Sequence, residues 1–192
     1  MKIVDIFVDG ESGEGLYSMI YEGQPENEFD RLFNLWTNIE YVTFYCWDNK
    51  EYIETEYFFG YTIDDVINKI GLEAYELERL IKLKTEQNFA VPGNTLQQMF
   101  RPLNDKEGKL YTHQQSKAKI DNKRKFPKPI LRMYAIRLSK NTFVITGGAI
   151  KLTHKMEEHP DTASEIEKIK KVKNFFSNNQ IEFEEDLKLF YE

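Results

Sequence analysis

Alternating apolar and polar positions open the chain. Residues 2–8 and 16–21 have the period of two that predicts strands, joined by the turn-rich connector Asp9-Gly10-Glu11-Ser12-Gly13-Glu14-Gly15. The period then changes. Over 26–37, Phe29, Leu32, Phe33 and Trp36 fall at i, i+3, i+4 and i+7, which places four large side chains on one helical face. Residues 41–47 and 52–59 are β-branched and aromatic and predict two further strands of the same sheet. Thr62 is an N-cap candidate with Asp65 in the first turn, and Ile63, Val66, Ile67 and Ile70 repeat the helical stripe. Gly71 interrupts it, and 73–87 resumes with Leu77, Leu80 and Ile81 inward, which predicts a helical hairpin.

Pro92-Gly93-Asn94 punctuates the chain. The expectation is a single domain, 1–192, with a sub-boundary near 90–95. It would separate an N-terminal β/α elaboration (1–91) from a basic loop, β-hairpin and C-terminal helix (95–192). Residues 104–129 read as a long loop without regular structure. Strands are predicted over 131–138 and 142–150, joined by Ser139-Lys140-Asn141, with the second running on through 151–155. Gly147-Gly148 inside it predicts a bulge or a close backbone approach. Pro160 precedes a helix whose Thr162 and Glu165 fit a capping box and whose inner face carries Ile166, Ile169 and Phe176. Residues 181–190 suit a strand or a helix. The fold class these elements predict is α+β, an antiparallel sheet packed against a helical hairpin.

Composition narrows the field. With 192 residues, 41% hydrophobic and 14% aromatic, the chain is able to bury a sizeable core. No apolar run is long enough to span a bilayer, and Asp5 interrupts the first apolar stretch too early for a secretory signal. The single cysteine, Cys46, excludes an internal disulfide and a multi-cysteine zinc site, and the reducing cytoplasm is the expected compartment. The chain has no phosphate-binding glycine loop, nucleophile elbow or His-Glu-x-x-His, so nucleotide-dependent, serine-hydrolase and zinc-protease readings lack support.

Charge changes the picture most. The net charge is −6, yet twelve Lys or Arg and one acid, Asp121, lie between Lys109 and Lys155. A basic segment inside an acidic protein points to an anion site, with phosphate backbones the first candidate. The competing reading is a solvated loop that neutralises the acidic remainder. Lys123, Arg124, Lys125 and Lys128 supply the loop's share of an RNA-binding surface. In the extended second strand, Lys151, Thr153 and Lys155 would share one face, and an arginine from the neighbouring strand, Arg132 or Arg137, would complete a phosphate cradle. The choice between the two arginines depends on register. His154 or His113 is available for proton exchange near neutral pH.

The run from Leu131 to Leu138, a turn, and Phe143 to Lys155 resembles the C-terminal sheet of RelE/HigB-type toxins. Gly148, Ile150, Lys151, Thr153 and Lys155 match the motif, and Arg132 matches the strand arginine. His154 stands where that family usually has glutamine, Leu152 where it has a second lysine, and Ala149 where it has an aromatic. The resemblance implies an endoribonuclease acting on mRNA, often on the ribosome, and neutralised by a helix-turn-helix antitoxin. It implies catalytic roles for Arg132, Lys151 and Lys155; the imidazole of His154 joins them as a catalytic candidate on its own chemistry, as a group able to exchange protons. Attack by the ribose 2′-hydroxyl on its own phosphate needs a base, an acid and cations, but neither a metal nor a cofactor. A scaffold that binds RNA or protein without cutting, and an unrelated α+β interaction domain, are the alternatives.

Overall fold

The computed structural model describes residues 1–88, 95–104, 111–120, 128–187 and 190. Among these residues, six strands form one sheet in the order β1-β2-β6-β5-β4-β3. They are β1 (Lys2–Val8), β2 (Gly15–Ile20), β3 (Arg101–Pro102), β4 (Gln114–Ala118), β5 (Leu131–Arg137) and β6 (Phe143–Ile150). Neighbours run antiparallel except β2 and β6, which are parallel. The helices are α1 (Glu28–Thr37), α2 (Ile39–Asp48), α3 (Lys50–Ile53), α4 (Ile63–Asn88), α5 (Pro160–Asn178) and α6 (Glu184–Leu187). The class is α+β, as the alternating and 3.6-residue periods predicted.

Period-two alternation splits the core. Leu131, Met133 and Ala135 of β5 join the apolar stripes of α1, α2 and α4 on one face. Tyr134 and Ile136 join Ile169, Val172 and Phe176 of α5 on the other. Helices therefore cover both faces of the sheet.

Several expected elements take a different form. Residues 41–47 are helical, not a strand. Asn38 caps this helix by accepting from the N–H groups of Glu40 and Tyr41, each at 3.0 Å. Val42, Tyr45 and Cys46 are buried at helical spacing, which leaves Phe44 and Trp47 72% and 56% exposed. Capping and burial of one stripe outweigh a modest strand propensity. Residues 52–59 hold the end of α3 and a 3-10 turn at Glu56–Phe58. The helical hairpin is one helix, α4, running through Gly71. The buried stripe Val66, Ile70, Ala74, Leu77, Ile81 continues across that glycine, and its burial exceeds the roughly 1 kcal/mol that an interior glycine costs. Thr62 does cap α4, reciprocally with Asp65.

Further along, β4 lies within 104–129, where no regular element was expected. Pro92, Gly93 and Asn94 fall outside the described residues, while strands from before and after them share the sheet. β6 stops at Ile150. The last bond on this side is Lys151 N–H to the Ile130 carbonyl at 2.7 Å, and the Ile130 N–H that would return it goes to Glu73 Oε2 at 2.8 Å instead. The helix α5 is present, but His159 caps it, by accepting from Asp161 N–H. Thr162 and Glu165 lie inside it and form no capping box. A short helix, α6, occupies part of 181–190.

The expected bulge is found. Tyr134 pairs with Gly147 and Ala135 with Ile145, so Thr146 is the extra residue. The close approach is found as well. A Cβ on Gly147 would collide with the Glu165 carboxylate, and one on Gly148 would stand 2.6 Å from the Arg132 carbonyl oxygen and 2.8 Å from Leu32 Cδ1. Gly148→Ala should lower stability by about 1–3 kcal/mol in urea unfolding. Gly71→Ala, with open space around its Cβ, should raise stability by about 0.5–1 kcal/mol.

Candidate nucleic-acid interface

The register of the central strands decides which arginine meets the lysines. Arg132 pairs with Ala149, and Lys117 of β4 pairs with Tyr134. Arg132 therefore lies diagonally across from Lys151 on one side and from Lys117 on the other, at the roughly 7–8 Å spacing of such neighbours. Alternation puts all three on the α5 face with Tyr134.

The electrostatics agree. Burial lowers the Lys151 pKa, the Arg132 charge lowers it further and Lys117 adds to the effect, against the pull of Glu158 and Glu157. Arg132 is 7% exposed, and its Nη1 donates to the Leu131 carbonyl at 2.8 Å. The Lys151 Nζ donates to the His154 carbonyl at 2.8 Å.

His154 is exposed, and its ring meets Tyr57 edge-on, 4.8 Å between centroids. Tyr57 in turn feels both ends of the site. Burial raises its pKa, the Arg132 charge lowers it and Glu73 raises it. The Tyr57 ring itself packs against the core on the α4 side of the sheet. Glu73 anchors the base of the site. Its Oε2 accepts from the N–H groups of Ile130 and Leu131 at 2.8 and 2.9 Å, and its Oε1 pairs with Lys69 at 2.6 Å.

Other expected site residues are placed differently. Because β6 ends at Ile150, Lys151, Thr153 and Lys155 do not share a strand face. Thr153 and Lys155 sit in a turn. Thr153 Oγ1 donates to the Lys155 carbonyl at 2.8 Å, and Lys155 N–H donates to Glu158 at 2.9 Å. The Lys155 side chain is exposed at the rim. Arg137 closes the opposite end of β5, roughly 17 Å from Arg132, beside Gln97 at 3.4 Å. It belongs to no phosphate cradle with Lys151. His113 is remote too, bonded through Nε2 to the Ile181 carbonyl at 2.7 Å. Lys128 is exposed at the entry to β5. Lys123, Arg124 and Lys125 lie outside the described residues.

No protein-family model, curated protein or solved structure matches this chain.

A second polar cluster lies along the outer edge of β6. β2 pairs only as far as Ser18 with Ile145, and beyond it a cleft of about 200 Å³ opens between α1, α2 and α5. Glu28 binds Arg31 through two hydrogen bonds, at 2.7 and 2.8 Å. Lys168 bridges Glu28 and Glu165, at 3.1 and 2.8 Å. Glu165 Oε2 is buried without a hydrogen-bond partner. Burial pushes this carboxyl up to about 7, against the opposing pull of Lys168. The sequence signal was an acid inside an apolar stripe, since Glu165, Ile169, Val172 and Phe176 fall at i, i+4, i+7 and i+11. Glu73 follows the same rule in α4.

A carboxyl whose folded pKa lies above its ordinary value favours the folded state at low pH and loses that contribution as pH rises through about 4.5 to 7. Glu165→Gln removes the dependence. Urea midpoints should therefore show the variant gaining on the wild type between pH 5 and 8, by up to roughly 3 kcal/mol. An unchanged difference across that range would show that Glu165 does not titrate there.

Proposed function

We propose that this protein is an mRNA endoribonuclease of the kind the RelE/HigB resemblance implies, gripping the ribose-phosphate backbone at Lys117, Arg132 and Lys151. The observation that supports it is the gathering of three cations at one end of the sheet, Lys117 on β4, Arg132 on β5 and Lys151 one residue past the end of β6. In the reaction the 2′-hydroxyl loses its proton and its oxygen attacks the adjacent phosphorus. The P–O5′ bond breaks, leaving a 2′,3′-cyclic phosphate, and the departing oxygen takes up a proton. Arg132 and Lys151 stabilise the charge on the phosphorane. His154, exposed beside Tyr57, exchanges the proton, and Lys155 meets the backbone at the rim. A ribosome-bound mRNA substrate and a helix-turn-helix antitoxin complete this reading.

A second reading, binding without cleavage, is favoured by the tie between Lys151 and the His154 carbonyl and by the nearby Glu157 and Glu158.

Inducing the protein alone in a bacterium should arrest growth and fragment transcripts into pieces with cyclic phosphate ends. His154→Ala should keep RNA affinity and slow cleavage by about 10²–10⁴. Lys151→Ala should weaken binding itself. Intact transcripts together with salt-sensitive RNA binding would select the second reading. RNA binding absent at low salt would remove both.

A further inference from the structure

A pocket of about 340 Å³ opens on the α4 side of the same end of the sheet. That volume falls within the range of small-molecule sites, about 300–1,000 Å³. Its apolar walls are Tyr61, Leu72 and Ile120. Leu72 stands 73% exposed at the mouth, where a ligand entering the pocket would cover it. The polar groups around it are mostly committed. Lys69 is paired with Glu73 at 2.6 Å, and Asp65 accepts from Thr62 N–H and Oγ1 at 2.9 and 2.7 Å. Asn68 is exposed and makes no side-chain hydrogen bond among the described residues. Its amide offers a donor and an acceptor together, the complement of a nucleobase edge.

The pocket adjoins the cationic face through named contacts. Glu73 is part of its lining and holds the N–H groups of Ile130 and Leu131, and the next residue is Arg132. Ile120 follows Lys119, which shares the alternation of Lys117, so one residue step separates pocket wall from cationic face. A strand that crosses this rim meets charge on one side and an apolar slot on the other.

We propose that the site takes single-stranded RNA, with one unstacked base seated against Tyr61, Leu72 and Ile120 and read by Asn68, while the flanking phosphates lie on Lys117, Arg132 and Lys151. This rests on the backbone-binding reading above and adds the substrate's form to it. A duplex keeps its bases stacked and has none to insert. Sequence-tolerant stacking and contact with an apolar wall is worth about 1–3 kcal/mol per base, or roughly 5- to 150-fold in affinity.

The test is fluorescence anisotropy with a short unpaired oligoribonucleotide and its duplex across a salt series. The single strand should bind at least about tenfold tighter. Leu72→Ala and Asn68→Ala, both at exposed positions, should each weaken it about fivefold or more without changing the salt slope. Lys151→Ala should instead lower the slope by about 0.7. As a measure independent of any variant's fold, an oligonucleotide carrying 2-aminopurine should change fluorescence on binding the wild-type protein. Equal affinity for duplex and single strand, or unchanged binding by Leu72→Ala with no 2-aminopurine response, overturns the pocket while the salt-dependent cationic face stands. Absence of RNA binding at low salt overturns both.

Discussion

The architecture hangs on one buried carboxylate. Glu73 sits in the apolar stripe of α4, where an unpaired charge would cost several kcal/mol. It is held there by Lys69 on one oxygen and by two backbone N–H groups on the other. Those N–H groups belong to the residues that begin β5. The contact therefore does two things: it satisfies two backbone donors at the start of β5, and it clamps a long helix to the start of the central strand. The position of Arg132 follows, because it is the next residue along. Removing the carboxylate would orphan the lysine and both amides together, which makes the contact costly to lose even though its net worth when intact is modest.

Much of the scaffold was legible in the residue pattern. The first hairpin, α1, the central hairpin with its bulge, and α5 all carry clear periods or unambiguous glycines. The misreadings share a physical origin. Residues 41–47 have strand-like side chains, but Asn38, capping the end of one helix and the start of the next, commits the backbone to helix before propensity counts. At Gly71 the apolar stripe carries α4 past a residue that ordinarily breaks helices. β4 is written almost wholly in polar letters, Gln-Gln-Ser-Lys-Ala, and becomes a strand because β5 offers it an edge.

The same logic explains how much of the site could be foreseen. Arg132 and Lys151 were identifiable from residue type and position, but their meeting depended on register. Thr153 and Lys155 were grouped with them by extending an alternation beyond the end of β6 at Ile150. Lys117 stood in a segment read as loop, and Tyr57 in one read as strand, so neither could be assigned to the cluster. Glu73 and Glu165 did leave a trace, each being the one acid in an otherwise apolar helical face.

The parallel contact between β2 and β6 has a consequence for how the molecule is made. Tyr21 hydrogen-bonds to Thr146 across a sequence separation of 125, and the elements between contribute the rest of the sheet. During synthesis the first hairpin leaves the ribosome long before the strand that flanks it exists. At about 5–20 residues per second it waits several seconds or more with a bare inner edge. The order of translation thus runs against the order of the sheet, and an exposed edge of that kind is where a nascent chain is most open to misassociation.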